Sequence, residues 1–308
     1  MTIDSVKTSK LDEALEEHAE DKLELIEPGG NHGDTLIYMG AKKRLDSFNI
    51  EYSSMNYIQE LRNSWPAKGR RAIDIITNKL DQNPIKITSL DDPDVIYIHG
   101  GGNFSDLWGI SLDLFRNIVN TYPNTHLIVG PQTYWFSDTD FDDICDNLDQ
   151  KIDLFCRESY SYSLLNNFDL PNNINIYKSS DTAFYLTRDD LLEYHKKTVE
   201  EFDSEYTLLA FRGDREGIIP ESMKEHIASN SDNVVFCDVS DKSENTFREF
   251  ITLVENAEKV YTDRLHVGIL STLLEQDVEL FENIYYKNRG VYKYSLSDIE
   301  TTNFNEAV

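Results

Sequence analysis

Six short stretches of the chain combine cations, titratable side chains and glycine in patterns that chemistry uses. Thr262-Asp263-Arg264-Leu265-His266 sets a permanent cation two residues from an imidazole. Such a pair can bind an anion while the histidine moves a proton. Arg157, inside Phe155-Cys156-Arg157-Glu158-Ser159, and Arg212, after the apolar run Leu208 to Phe211, add two guanidinium forks, and Lys287 adds an ammonium. A planar fork matches a carboxylate or phosphate in two-point contact, so converging arginines in an otherwise acidic protein suggest an anionic substrate. The competing reading pairs each arginine with a local acid, Glu158 for Arg157 and Asp214 for Arg212.

Two glycine-rich stretches complete the set, Gly29-Gly30-Asn31-His32-Gly33-Asp34 and His99-Gly100-Gly101-Gly102-Asn103-Phe104-Ser105-Asp106. The first is neither a Walker loop nor G-x-G-x-x-G, so a tight turn with Asp34 capping the next helix competes with ligand contact. In the second, three consecutive glycines carry an entropic cost that a plain turn does not require, which implies that something lies against that backbone. No second histidine stands at ligand spacing from His99 and Asp106, so no metal site is indicated.

Residues like these work only if elements bring them together. Short apolar runs alternate with amphipathic stretches along the chain, the mark of a parallel sheet. Strands are expected at Leu23 to Glu27, Ile50 to Met55, Asp94 to His99, Leu127 to Val129 and Ile152 to Cys156, with helices at Ile110 to Asn120 and Asp138 to Leu148. This makes a first domain of about six strands. The charged stretch Thr187 to Glu205 reads as exposed helix and linker. Beyond it come strands at Thr207 to Phe211, Val234 to Cys237, Lys259 to Tyr261 and Val278 to Phe281. One helix presents Phe247, Phe250, Ile251 and Val254 on one face, and another runs from Leu265 to Leu274. The expected organisation is an acidic helical lead-in (1–20), a Rossmann-like domain (21–188), a charged linker (189–205), a second Rossmann-like domain (206–290) and a tail (291–308) packing back on the first. Two open α/β sheets facing each other leave a cleft, and every candidate residue follows an expected strand, where ligands of parallel sheets gather.

Composition narrows the partners. Of 308 residues, 56 are acidic and 29 basic, a formal charge of -27 that repels nucleic acid and anionic membranes. The acids are spread along the chain, so self-repulsion relieved by salt suggests a salt-loving source, with an ordinary acidic cytosolic protein as the competing reading. No apolar run approaches the length of a membrane span and no signal-peptide core is present, which points to a soluble, cytoplasmic protein. Cys145, Cys156 and Cys237 are far apart, as expected of reduced thiols. A homo-oligomer is compatible with all of this.

The ordered series GGNHGD, HGGGNFSDLW, FCRES, SDTAF (Ser180 to Phe184), TDRLH, and Tyr286-Lys287 with Gly290-Val291-Tyr292 resembles the polysaccharide pyruvyl transferase family over about residues 20 to 296. The resemblance implies two Rossmann-like domains facing a cleft, similar to the B-type glycosyltransferase fold. It also implies transfer of the pyruvyl group of phosphoenolpyruvate onto two hydroxyls of a sugar as a cyclic ketal, with release of phosphate. Catalysis is then assigned to His266, Arg264 and Arg157. Donor binding falls to Arg157, Arg212, Arg264, Leu265, His266, Lys287, Gly30 and Asn31, and acceptor binding to His99, Gly101, Gly102, Asn103 and Asp106. No cofactor is implied; the partners are phosphoenolpyruvate and a sugar or glycan. The rival readings are a nucleotide-sugar-dependent transferase of the same architecture and a non-catalytic glycan-assembly protein.

Overall fold

Val95, Ile96, Tyr97 and Ile98 form an unbroken apolar run, and all four are buried. A strand apolar on both faces belongs inside a parallel sheet. In the computed structural model, which describes residues 9–64, 87, 90–194 and 205–306, this run is a central strand of the first sheet. The elements there are α1 (Lys10–Glu17), β1 (Leu23–Glu27), α2 (His32–Ser47), β2 (Tyr52–Asn56), α3 (Tyr57–Ser64), β3 (Val95–Ile98), β4 (Gly101–Ser105), α4 (Ile110–Thr121), β5 (His126–Trp135), α5 (Phe141–Cys145), β6 (Ile152–Cys156), α6 (Ser159–Leu165) and β7 (Ile174–Lys178). The strand order is β2-β1-β3-β5-β6-β7, with β4 also paired to β5. All these pairings are parallel.

The triple glycine is not a loop. β3 pairs with the first half of β5 and β4 with the second half, so the chain runs on along β5 past Gly100. A Cβ at Gly100 would lie 2.4 Å from the Pro131 carbonyl oxygen, and Gly101 has φ +146°. The register shifts of β4 and β6 on β5 fall at this same point. The backbone pressed against Gly100 is therefore that of β5 itself, and there the close approach requires glycine.

A 3₁₀ turn (Thr182–Tyr185) leads to α7 (Arg188–Leu192), which opens on a capping box between Thr187 and Asp190. The rest of the expected charged linker, 195–204, lies outside the described residues. The second sheet follows with β8 (Tyr206–Ala210), α8 (Glu221–Ser229), β9 (Val234–Phe236), α9 (Phe247–Glu255), β10 (Ala257–Thr262), α10 (Leu265–Leu273), β11 (Asp277–Phe281), α11 (Lys287–Val291), a π turn (Tyr292–Leu296) and β12 (Thr302–Asn305). Its order is β12-β11-β10-β8-β9, again parallel throughout. α9 shows why the helices dock: Thr246 and Glu249 form a capping box, and Phe250, Ile251 and Val254 are buried in one core cluster with Leu265, Ile269 and Leu280.

Several expectations change. The first sheet has seven strands among the described residues, because β4 and β7 join those anticipated. The helix expected at Asp138 to Leu148 contracts to α5, and Asn147, at φ +61°, turns the chain beyond it. The tail is an integral part of the second sheet. β12 pairs with β11, Leu296 is fully buried, and Tyr292 stacks on Phe304 with centroids 5.2 Å apart.

The chain divides into two compact units, 5–29 with 41–182, and 1–4 with 30–40 and 183–308. Relative to the expected boundaries of 21–188 and 206–290, the first turns of α2 group with the C-terminal sheet. Leu36, fully buried, belongs to the same core cluster as Phe250 and Leu265. The three cysteines are free, Cys145 and Cys156 buried and Cys237 half-buried.

Candidate active site

β11, β10 and β8 are neighbours, and because they are parallel their carboxyl ends lie along one edge. Each hands a cation to that edge: Arg212 follows β8, Arg264 caps α10 after β10, and Lys287 opens α11 after β11. Three sequence-distant positions, chosen only because each follows a strand, thus fall in one unit.

Buried carboxylates knit these cations together. Arg212 Nε and Nη2 donate to the two oxygens of Asp214, at 2.7 and 2.9 Å, while Nη1 donates to Glu216. Glu216, 1% exposed, also accepts from Asn283 Nδ2 at 3.0 Å and from Lys287 Nζ. Arg264 Nη2 donates to Asp238 and lies 3.5 Å from Asp214 Oδ2. Glu216 therefore joins Arg212 to Lys287, and Asp214 joins Arg212 to Arg264. Burial alone would push the Asp214 carboxyl up, but the Arg212 fork and Arg264 outweigh it and hold it below the usual carboxylate range.

Asp263 behaves in the opposite way. Its Oδ1 accepts the backbone N–H of Arg212 at 2.9 Å, and its carbonyl accepts from Asn288 Nδ2 at 2.7 Å. Burial dominates, and despite Arg212 and Arg264 nearby it pushes this carboxyl up to about 6. Asp263 Oδ2, Arg264 Nε, Asn283 Oδ1 and Asn288 Oδ1 are all buried without a hydrogen-bond partner among the described residues. Buried polar atoms are almost always satisfied in folded proteins, so these four are open to water or to a polar ligand.

His266 lies on the first turn of α10, half-buried, and Leu265 beside it is buried in the core. The start of α2 packs against this histidine: a Cβ at Gly33 would lie 2.6 Å from His266 Cβ. Asn31 Oδ1 accepts from Gly33 N at 2.7 Å, and Asp34 Oδ2 accepts from Asn31 N at 2.8 Å, so each side chain satisfies a backbone donor at the start of the helix. Asn31, and not Asp34, thus caps the helix, while Asp34 reaches back from the first turn. Gly30, at φ +135°, would place a Cβ 2.0 Å from Asp34 Oδ2, which excludes any larger residue. His32 Nε2 donates to the Asn245 carbonyl at 2.6 Å and its ring stacks on Phe250, with burial lowering its pKa. The glycine loop and the Arg-x-His motif, separated by more than two hundred residues of sequence, are neighbours here.

The remaining candidates belong to the N-terminal unit. Arg157 is fully buried, with Nε donating to Thr133 Oγ1 at 2.9 Å and Nη1 to Asp181 Oδ2 at 2.7 Å. Its partner is Asp181, within the Ser180 to Phe184 motif, and not Glu158. Glu158 instead caps α6, accepting from Tyr160 N and Ser161 N. His99 is buried with its pKa lowered to about 3, first by burial and then by the Lys42 charge, so the ring is neutral. Gly101 is buried in β4, and Gly102 and Asn103 are half-buried along it. Asp106 accepts from Ser137 N, Asp138 N and Thr139 N, at 2.6, 2.8 and 3.1 Å, and so fixes the loop after β5. Burial pushes this carboxyl up, but those N–H groups and the Thr139 hydroxyl prevail and hold it low. Among the described residues no group of three His, Cys, Asp or Glu side chains could hold a metal ion, and no helix is long and apolar enough to cross a membrane.

Sequence reasoning missed Glu216, Asp238, Asp263, Asn283 and Asn288. Of these only Asp263 carried a signal, since it sits inside the Thr262 to His266 motif.

Comparison with known proteins gives the same region a context. A solved structure of an uncharacterised protein, KP1_0663 from Klebsiella pneumoniae, superposes with a TM-score of 0.63 over 99% of both chains at 24% identity, which shows a shared fold. Pyruvyl transferase 1 of Schizosaccharomyces pombe is 25% identical over 267 residues, 79% of this chain, and the chain spans 61% of that protein's length. EpsO of Bacillus subtilis (strain 168), provisionally named a pyruvyl transferase, is 25% identical over 242 residues, 68% of this chain and 72% of its own. The sequence profile of polysaccharide pyruvyl transferases matches residues 31–275, from the cap of α2 through α10. With that match extending over most of its length, the chain belongs to the polysaccharide pyruvyl transferase family.

Proposed function

We propose that the chain transfers the pyruvyl group of phosphoenolpyruvate to a sugar of a glycan, forming a cyclic ketal and releasing phosphate. The observation that carries this reading is the convergence of Arg212, Arg264 and Lys287 at the ends of three adjacent strands, with His266 on the first turn of α10. A donor bearing both a carboxylate and a phosphate needs several cations in one place, and a protein of charge -27 must assemble them locally.

In this mechanism His266 delivers a proton to the methylene carbon of the donor, leaving the adjacent carbon cationic. One sugar hydroxyl adds to that carbon, and a second displaces phosphate to close the ring. His266 regains its proton from the first hydroxyl, and the proton of the second leaves with the released phosphate. The guanidinium groups hold the two anionic groups and stabilise the departing phosphate. Asp214, Asp238 and Glu216 keep the cations in place before the donor arrives. Because they also compete for the same N–H groups, donor binding exchanges one set of acceptors for another. His99, Gly101, Gly102, Asn103 and Asp106 are assigned to the acceptor side in this proposal.

Incubation with phosphoenolpyruvate and a panel of nitrophenyl glycosides, read by product mass and released phosphate, tests the reaction. One phosphate per ketal is the expected result. Absence of product, together with thermal stabilisation by UDP- or GDP-sugars and none by phosphoenolpyruvate, would replace this reading with that of a nucleotide-sugar transferase.

Two substitutions probe the geometry. Arg264→Ala removes one member of a buried charge cluster and is expected to weaken phosphoenolpyruvate binding by about 30-fold or more. Calorimetry on the folded variant measures it, and an unchanged affinity would remove Arg264 from the donor site. Gly33→Ala drives a methyl group toward the His266 Cβ and must displace one or the other. Since a misplacement of about 1 Å can cost roughly 100-fold in rate, kcat is expected to fall on that scale with phosphoenolpyruvate affinity changed far less. Wild-type turnover in this variant would mean that α2 does not hold the histidine.

A further inference from the structure

Asp263 is the point at which the three cation-bearing strands are tied together. Its side chain takes the backbone N–H of Arg212 after β8, its own backbone leads into Arg264 at the start of α10, and its carbonyl takes Asn288 Nδ2. The same Asn288 amide also donates to the Phe281 carbonyl at the end of β11, at 2.8 Å. A purely structural tie needs only Oδ1 and the carbonyl. Oδ2 is left over, buried in a residue that is 1% exposed, with no hydrogen-bond partner among the described residues.

The charges around that carboxyl decide what Oδ2 does. From the β8 loop it faces Arg212, itself paired to Asp214 and Glu216. From α10 it faces Arg264, paired to Asp238 and Asp214. From α11 the contact is the neutral Asn288, beside Lys287, whose ammonium is taken by Glu216. Arg212 and Arg264 are thus the groups that stabilise a negative charge on Asp263, and they are also the groups that a donor's carboxylate and phosphate would engage.

We infer that Asp263 takes up a proton when an anionic donor binds to Arg212 and Arg264, so that donor binding and protonation of this one carboxyl are linked. The inference rests on the donor reading above and deepens it. An arriving dianion cancels the positive field of the two guanidiniums and adds a like charge near a buried carboxylate, and both effects favour the neutral acid. Protonation also turns Oδ2 from an acceptor without a donor into a hydroxyl donor, able to reach an oxygen of the bound anion or a neighbouring acceptor.

The sign follows from linkage. Binding raises the affinity of Asp263 for its proton, so donor affinity rises as pH falls from above neutrality toward the free group's titration range, and the gain levels off below it. Burial pushes the free carboxyl up to about 6. A rise of about one to two units on binding then corresponds to uptake of about 0.4 to 0.8 proton per site at pH 7. A phosphate monoester titrating near about 6 tends to lose a proton when cations bind it, which is the opposite sign, so the donor's own titration does not mimic the effect.

The test is calorimetry of phosphoenolpyruvate binding to the full chain at pH 7, in buffers of different ionisation enthalpy, for wild type and Asp263→Asn. The asparagine keeps an oxygen for Arg212 N–H but cannot titrate. The expected result is that wild type takes up about 0.4 to 0.8 proton more than the variant. Equal proton stoichiometry in the two proteins would overturn the linkage and leave the donor reading standing, whereas absence of any phosphoenolpyruvate binding by wild type overturns both. A measurement needing no variant covers the case in which Asp263→Asn does not fold. In wild type carrying carboxyl-13C aspartate, one buried carboxyl resonance should move to its protonated position when phosphoenolpyruvate is added at pH 7. No such movement also overturns the linkage.

Discussion

Replacing His266 with alanine is expected to lower pyruvyl transfer by about 10²- to 10⁴-fold, the range that a positioned general acid or base contributes, while phosphoenolpyruvate affinity changes far less than in Arg264→Ala. The split follows from where the two side chains stand. Arg264 is a cap residue tied to Asp238 and Asp214, and in the proposed reaction its charge binds the donor. His266 is half-buried on the first turn of α10 against Gly33, and in the same proposal it moves a proton, a role that ground-state binding does not need. Interactions made only in the transition state appear in kcat and spare KM. Phosphate release under saturating donor measures the first effect and calorimetry the second. Full activity in His266→Ala would transfer the proton role to another group, and a loss of affinity equal to that of Arg264→Ala would make the histidine a donor ligand instead.

Arg157→Ala is expected to cost about 3–5 kcal/mol of stability, the scale for removing one partner of a buried ion pair. Both Arg157 and Asp181 are essentially inaccessible to solvent, so the alanine removes the countercharge of a carboxylate that water cannot solvate. Denaturant unfolding of the variant measures the loss. The double substitution Arg157→Met with Asp181→Leu removes both charges and should recover most of it. The recovered protein then separates two roles that the single substitution confounds. Normal phosphoenolpyruvate affinity in the stable double variant would leave Arg157 as a structural residue, and lost affinity would restore it to the donor site.

The contrast between Arg157 and Arg212 shows where sequence reasoning reached its limit. Asp214, two residues from Arg212, was an available partner on spacing alone, and the fork contact is present. The partner of Arg157 is 24 residues away, and that of Lys287 is 71 residues away, so both pairs exist only once parallel strands have aligned their ends. Central strands were legible because burial on both faces leaves mostly apolar residues: β6 agrees residue for residue with its expected range although Asp153 lies within it, and β3 within one residue at each end. Edge strands β7 and β12 were not, since a half-exposed strand mixes polar and apolar positions and resembles a loop. The triple glycine was recognised as a demand for close approach, but sequence could not say that the approaching chain was β5. Candidate cations were legible because Arg, Lys and His after apolar runs are few. The acids that hold them were not, because a chain with 56 acidic residues offers too many.

The assignment of residues 30–40 to the C-terminal unit bears on how the molecule can be cut and recombined. A fragment beginning at Ala183 would lack Leu36, which fills a fully enclosed position among Phe250 and Leu265, and the Asn31-to-Gly33 corner that abuts His266. Chimeras that exchange the C-terminal half between relatives therefore inherit a mismatched core unless the short N-terminal insert travels with it. Two distant stretches of the gene must change in step whenever either does.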